Sequence, residues 1–121
     1  MRYVFLIYAN EAAMKELPEE EMHRCIDAAL EYDEALKKSG HFIVSHGLEW
    51  AAQATVLRKG NGKVVATDGP FAETKEQLLG FYLIEAGNRK EAMDIASRLP
   101  MLTNGSTVEV RAVEQFEGED F

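Results

Sequence analysis

A short stretch in the middle of the chain gathers side chains that are suited to acid–base chemistry. Asp68 stands immediately before Gly69-Pro70, and Glu73 and Lys75 follow shortly after it. In the catalytic interpretation, the Asp68 carboxylate acts as a general base or orients a substrate. Lys75 then holds an anionic substrate or a carbonyl oxygen, and Glu73 shuttles a proton. The predicted chemistry is proton transfer, isomerisation or elimination on a small organic molecule.

The same stretch also has a structural interpretation. Proline crowds the residue before it, so the Gly-Pro step favours an extended or turn conformation. Asp68 could accept backbone N–H bonds from that turn, and Phe71 could anchor the turn with its apolar ring. A solvated turn with local ion pairs, which contribute little to stability, is the corresponding interpretation for Lys75 and is favoured for Glu76. Both interpretations stay open for Asp68 and Lys75.

Three residues elsewhere complete the candidate set. His46, near the end of a predicted strand, titrates near neutrality and could serve as acid or base, or it is a surface histidine in a loop. Arg111 could bind a substrate carboxylate through two parallel hydrogen bonds, or form an ion pair across strands or between subunits. Trp50 could gate a pocket or cover part of the core. The predicted catalytic residues are therefore Asp68, Lys75 and His46, and the predicted substrate contacts are Phe71, Glu73, Arg111 and Trp50.

Motifs for metals, nucleotides and covalent catalysis are not found in the chain. There is no His-x-His, no pair of cysteines and no His-Glu-x-x-His, so no metal site is expected. The Gly60–Gly62 run is a hairpin turn rather than a phosphate-binding loop, and there is no Gly-x-Ser-x-Gly elbow. Cys25 lies on the apolar stripe of a predicted helix and is expected to pack as a small apolar side chain. We therefore expect no cofactor.

Composition restricts the partners that the protein can have. The chain has 121 residues and a net charge of −8, with no basic patch of the kind that neutralises phosphates. Neither nucleic acid nor an anionic membrane surface is therefore an expected partner. The longest purely apolar run, Val4–Ala9, is far shorter than the ~20 residues that span a bilayer. Because no signal-type segment is found at the start, we expect a cytoplasmic protein.

Apolar periodicity and turn residues predict the elements that position these candidates. The predicted order is a strand over residues 2–9, a helix over 18–39, a strand over Phe42–Leu48, a hairpin of Gln53–Arg58 and Val64–Thr67, a strand over Leu78–Ala86, a helix from Asn88 that stops before Pro100, a strand over Val108–Val113 and an acidic tail over 114–121. Two βαβ halves with right-handed crossovers then give an α+β, ferredoxin-like βαββαβ domain with an inserted hairpin. Both helices are expected on one face of an antiparallel sheet.

The first strand is apolar on both of its faces. Side chains alternate along a strand, so Phe5 and Ile7 point to one side while Val4 and Leu6 point to the other. The run Phe81–Ile84 repeats this property. Since the two helices cover only one face of the sheet, the other face is expected to pack against a second copy. The sequence thus predicts a homodimer joined through the sheet face, with a cleft near the strand ends for a small-molecule ligand.

The segment Asp68–Glu85 resembles the signature of the DGPF-domain proteins within the YCII-related family. The resemblance extends more loosely to the opening strand Tyr3–Tyr8, to the helix start at residues 18–22 and to the closing run Gly105–Arg111. It implies one domain over residues 1–113 with a ferredoxin-like fold of the dimeric α/β-barrel type. The biochemical role of DGPF-domain proteins is largely unassigned, so the resemblance implies more about fold than about chemistry.

The resemblance also bears on two alternative functions. Relatives with a proposed catalytic pair carry a histidine in the first helix and an aspartate just after the second. The corresponding stretches here hold Ala28-Ala29 and Leu99-Pro100, so hydrolysis or dehalogenation by that pair is not expected. One function is a cofactor-independent enzyme that uses Asp68 as base. The other is a non-catalytic ligand- or protein-binding module linked to transcription, because the resemblance implies companions of extracytoplasmic-function sigma factors.

Overall fold

A four-stranded antiparallel sheet forms the centre of the protein in the computed structural model, which describes residues 1–118. The strands in chain order are β1 (Arg2–Ala9), β2 (Phe42–Gly47), β3 (Thr55–Gly60), β4 (Lys63–Asp68), β5 (Gln77–Glu85) and β6 (Thr107–Ala112). The large sheet has the order β2-β5-β1-β6, and β3 and β4 form a separate two-stranded sheet. An α+β fold with an antiparallel sheet is confirmed, and this strand order is consistent with a ferredoxin-like fold.

Three α-helices lie within the described residues. They are α1 (Glu11–Lys15), α2 (Glu19–Ser39) and α3 (Arg89–Ser97), and short 3₁₀ turns span Ala51–Gln53 and Pro100–Asn104. The sequence analysis did not predict α1, which is a five-residue helix capped by the side chain of Asn10. The predicted strand starting at Gln53 begins later, at Thr55, because the residues before it form the first of the 3₁₀ turns. No helix in this part of the chain is long and apolar enough to cross a membrane.

Residues that are typical of helix ends lie at both ends of α2. Pro18 lies just before the helix rather than in its first turn, and three glutamates follow it at the positive end of the helix dipole. Gly40 ends the helix with φ 81°, a left-handed conformation that a residue with a Cβ adopts only under strain. At the start of α3, the Asn88 side chain accepts a 2.9 Å hydrogen bond from Glu91 N, as the capping motif predicts.

The core lies between the sheet and the helices. Strand β1 alternates between half-buried and buried residues, with Phe5 fully buried on the side of the helices. The most deeply buried side chains are Tyr3, Phe5, Ile84, Ile95 and Leu99. The helix face predicted to point inward is less buried than expected: Leu36 is the buried residue of α2, and Ile26 is 48% exposed.

The β3–β4 hairpin stands apart from the core. Its turn is Asn61-Gly62, with φ 51° and 78°, which is the positive-φ pair that a two-residue hairpin turn of this twist requires. Every residue of β4 is exposed, and Val56 is the one half-buried residue of β3. At the base of the hairpin, a Cβ on Gly69 would stand 2.8 Å from Ala54 O. A glycine is therefore needed where β4 leaves its partner.

Candidate functional site

One face of the large sheet carries no helix, and we call it the open face. Strand register places on it Val4 and Leu6 of β1, Phe81 and Leu83 of β5, Val44 and His46 of β2, and Glu109 and Arg111 of β6. Its five apolar members are each half-buried. The charged pair lies on the β6 side, as predicted from the alternation of Glu109 and Arg111 with the valines of that strand. The open face is thus an apolar stripe with a polar border.

A groove of about 790 Å³ adjoins the open face at one end. One wall comes from the sheet and includes Tyr8 and Leu78, and the other comes from the segment that follows β4 and includes Phe71, Thr74 and Glu76. Other lining residues, Leu48 and Glu49 among them, come from the loop after β2. The charged lining residues are both glutamates, so the groove presents negative charge and no cation.

Hydrogen bonds hold the wall that contains Glu76. The Gln77 side chain donates to Ala72 O at 2.8 Å and to Thr74 O at 3.0 Å, which closes the loop on itself. Thr107 Oγ1, on β6, donates to the Glu76 carboxylate at 2.9 Å. The carboxylate is therefore fixed against the sheet. The sequence around Glu76 predicts a solvated side chain. It carries no signal of the partner, Thr107, because that residue lies on a strand far along the chain.

A polar chain links the groove to the border of the open face. Tyr8 Oη donates a 3.0 Å hydrogen bond to Glu109 Oε1, and Arg111 Nε and Nη2 donate to Glu109 Oε2 at 3.1 and 3.0 Å. The hydrogen bond from Arg111 lowers the pKa of Glu109 below its usual range, with help from Tyr8. Burial, and then the bond to Glu109, raise the pKa of Tyr8. Tyr8 is therefore a neutral phenol whose oxygen can still accept a hydrogen bond from a ligand.

The structure does not bring the three predicted catalytic residues together. Asp68 ends β4 on the surface, and Lys75 is exposed in the loop that follows. Neither side chain forms a hydrogen bond or ion pair with another described residue, and neither lines the groove. Asp68 does not cap the turn after it: Gly69 N there donates to Ala54 O at 2.6 Å. The His46 ring is on the open face, 6.1 Å from the Phe81 ring.

The predicted substrate contacts are also distributed. Phe71 lines the groove and is 76% exposed, with the Arg58 guanidinium 5.5 Å from its ring, so it does not anchor its turn in a core. Glu73 is exposed and lies outside the groove lining. Trp50 packs under the Lys15 ammonium, 5.0 Å from the ring centre. The Arg111 guanidinium pairs with the Glu109 carboxylate. An ion pair was one of the predicted alternatives for Arg111, but the two residues lie on one strand and not on two.

Metal-ligating side chains do not cluster within residues 1–118. No group of three or more histidine, cysteine, aspartate or glutamate side chains in this range could hold an ion. Cys25 is half-buried on α2, where its sulfur accepts a 3.0 Å hydrogen bond from the Asn104 side chain. The polar groups that the structure does assemble at the groove include Tyr8, Glu49 and Glu76.

Fold and site together define an α+β protein with a ligand-sized groove beside the uncovered face of an antiparallel sheet. The chain matches the model of the YCII-related domain over residues 1–117, so it belongs to the YCII-related family, as the signature segment predicts. It is also similar to an uncharacterized protein of Rhizobium meliloti (strain 1021). The two are 36% identical over 99 residues, which cover 82% of this chain and 80% of that protein.

Proposed function

We propose that this YCII-related protein binds a small organic molecule in the groove between the signature segment and the sheet. The observation that carries the proposal is the groove itself, about 790 Å³ in volume and walled by Tyr8, Phe71 and Glu76. This volume lies in the range of roughly 300–1,000 Å³ that is typical of small-molecule sites. Its lining is mostly apolar with a few convergent polar groups, which is the usual composition of such sites.

The lining favours a neutral or amine-bearing aromatic ligand. Phe71 and Leu78 offer apolar surface for a ring, while Glu49 and Glu76 attract a positive charge. The Tyr8 oxygen donates its proton to Glu109 and so is available as an acceptor for a ligand N–H or O–H. The same carboxylates disfavour a carboxylate or phosphate ligand, in contrast to the anionic substrate that we predicted for Lys75 and Arg111.

The proposed working unit is a homodimer joined through the open face. An apolar sheet face is normally covered in a soluble protein. In the single chain Val4, Leu6 and Leu83 are only half-buried. A second copy, stacked face to face as in a dimeric α/β barrel, would cover these side chains and close the groove from one side. We propose a cytoplasmic location, where the thiol of Cys25 stays reduced.

Catalysis without a cofactor is a second candidate, favoured by the position of Glu76. Its carboxylate lines the groove while Thr107 holds it from the side, an arrangement that suits a general base acting on a bound molecule. Asp68 would contribute only if a partner subunit or a ligand reached it on the surface. The resemblance to DGPF-domain proteins implies a sensing role. That role requires the same binding event but no reaction.

Ligand-observed NMR titration tests the proposed charge preference. Phenethylamine is expected to bind more tightly than phenylacetate, a molecule of similar shape and opposite charge. Glu76→Gln should weaken phenethylamine binding about 2- to 5-fold, the range for a partly exposed ion pair. Glu73→Gln is the matched control, since it makes the same change in the same loop outside the groove lining. Equal affinity for the two probes, or equal effects of the two variants, would contradict the proposal.

A further inference from the structure

A second cavity lies on the opposite side of the sheet from the open face. It has a volume of about 160 Å³, and Gly47 lines both this cavity and the groove. Its floor is the sheet where β2 and β5 meet, with Ile7 and Tyr82 from the buried side. Met14 of α1 and Met101 of the turn after α3 form its walls. Residues 69–76, the loop between β4 and β5, do not line it.

Two glycines line this space. Gly47 and Gly80 are opposite each other in the register of β2 and β5. Gly80 also pairs with Ile7, a buried residue on the helix side. A Cβ on Gly80 would be 2.8 Å from His46 O, which excludes a larger residue there. A Cβ on Gly47 would meet nothing within 4 Å, so that position has open space in front of it.

Two serine hydroxyls reach this cavity without a partner. Ser45 pairs with Tyr82, whose hydroxyl is bonded to Asp33 on α2, and this register turns Ser45 toward the helix side. Ser106 is 9% exposed and lines the cavity from the start of β6. Neither hydroxyl forms a hydrogen bond with another residue in the range that the structure describes. Hydroxyls that are partly removed from water and lack partners stabilise any ligand that can bond to them.

We propose that this cavity is a binding site for a neutral single-ring molecule with one hydroxyl, the chemical class of phenol. An apolar cavity of about 150 Å³ in another protein is known to hold benzene, so the volume here fits one ring. The methionines and Ile7 contact the ring faces and edge, since thioethers adapt to irregular shapes and pair well with aromatics. The ligand hydroxyl bonds to Ser45 or Ser106. His46 and Phe81 contribute backbone, because the register turns their rings to the open face.

Phenol titration followed by ¹H–¹⁵N NMR tests the location of the site. The amide signals of Ile7, Gly80 and Ser106, which line the cavity and not the groove, are expected to shift, while those of Thr74 and Gln77, at the groove, stay unchanged. Gly47→Val fills the open space and is expected to weaken phenol binding at least 10-fold. Gly60→Val is the matched control, because a Cβ at this hairpin position also meets nothing within 4 Å. Shifts confined to the groove, or unchanged affinity in Gly47→Val, would overturn the proposal.

A comparison of phenol with benzene tests the role of the hydroxyls without filling the cavity. Ser45→Ala or Ser106→Ala should weaken phenol binding roughly 2- to 10-fold, the effect of one neutral hydrogen bond, and leave benzene binding unchanged. The proposal is supported if either variant binds phenol more weakly than the unmodified protein does and binds benzene equally well. If both alanine variants bind phenol as well as the unmodified protein does, the serines do not recognise the ligand and the proposed ligand class is wrong.

Discussion

The two faces of the central sheet are built from the same strands and differ in almost every other respect. On the helix side, Phe5 and Ile84 are both 0% exposed. On the open face, their chain neighbours Leu6 and Leu83 are half-buried. The composition of the two faces is similar, so hydrophobicity alone does not distinguish them. The difference teaches that the chain's own helices bury one apolar face completely, while complete burial of the other would need the partner that we propose.

The largest effect is expected at the centre of the helix side. Phe5→Ala should lower the free energy of unfolding by about 3–5 kcal/mol, because it removes a fully buried ring and leaves a cavity. Urea denaturation measures the change. Leu57→Ala, at a hairpin residue that is 64% exposed, is the control and should have little effect. A similar loss in both variants would remove the distinction between core and surface.

A charge on the open face is expected to separate the two copies. Leu83→Lys places an unpaired ammonium in the proposed interface, which costs on the order of 3 kcal/mol and weakens the dimer more than 100-fold. Sedimentation equilibrium should show a monomer for this variant. Met93→Lys, on an exposed position of α3, should stay dimeric. A stable monomer for the unmodified protein would contradict the assignment of the open face to a partner.

Tyrosine hydroxyls extend the comparison to polar groups. On the helix side, Tyr82 donates to the Asp33 carboxylate. Tyr82→Phe would leave that half-buried carboxylate without its donor and should reduce stability by about 1–3 kcal/mol. Tyr8→Phe, on the open face, removes a bond to Glu109, which keeps its two bonds from Arg111, and should cost less. Urea midpoints of the two variants decide the order, and a larger loss at Tyr8 would reverse it.

Stability at high pH should depend on the helix side. Burial raises the pKa of Tyr32 to about 12 and raises that of Tyr82 as well, with the bond to Asp33 contributing for Tyr82. A raised folded-state pKa means that the folded chain keeps protons that the unfolded chain loses above pH 10.0. The free energy of unfolding is therefore expected to be insensitive to these groups below that pH and to fall as pH rises toward 12.

Urea denaturation at pH values between 10.0 and about 12 measures this fall in the free energy of unfolding. Tyr32→Phe should make the decline shallower, because one of the two titrating groups is gone. The conservative change at the open face, Tyr8→Phe, is the control and should have a smaller effect on the slope. A decline that is unchanged in Tyr32→Phe would show that the helix-side tyrosines do not control it.

The smallest effect is expected where the open face meets solvent. Glu109→Gln removes the charge next to Tyr8, so the pKa of that tyrosine should fall toward its usual value. Ultraviolet titration of the tyrosinate signal, with Tyr8→Phe to assign it, measures the shift. Overall stability should change little, because the side chain of Glu109 is 40% exposed. A Tyr8 pKa that stays the same would show that burial, rather than Glu109, controls it.

Local signals were sufficient for most of the elements. The ends of α2 were marked by Pro18, by the lysines in the last turn of the helix and by Gly40. The hairpin turn was marked by Asn61-Gly62. The helix α1 was missed because five residues give no apolar period, although Asn10 is a capping residue whose side chain accepts from Ala13 N. The exposure of Ile26 depends on which elements pack against α2, and the pattern of one helix does not contain that information.

The sites depend on register and on contacts between distant segments. Glu76 acquires its position from Thr107, on a different strand, so its local sequence reads as a solvated turn. The small cavity is lined by Gly47 and Gly80, which face each other across two strands, and neither glycine predicts the other. The signature segment correctly indicated the family. Its most conspicuous charges, Asp68 and Lys75, do not line the groove, and their roles stay predictions.

The position of β1 in the sheet has a consequence for how the chain folds. This N-terminal strand pairs on one side with β5, where Tyr3 meets Ile84, and on the other with β6, where Tyr3 meets Ala112. Both pairings join residues that are far apart in sequence, and such contacts form slowly. Until β5 and β6 have been synthesised, β1 is an apolar strand with two unpaired edges, a state that is prone to association with other chains. The strand that organises the finished sheet is therefore the segment most in need of protection while the protein is being made.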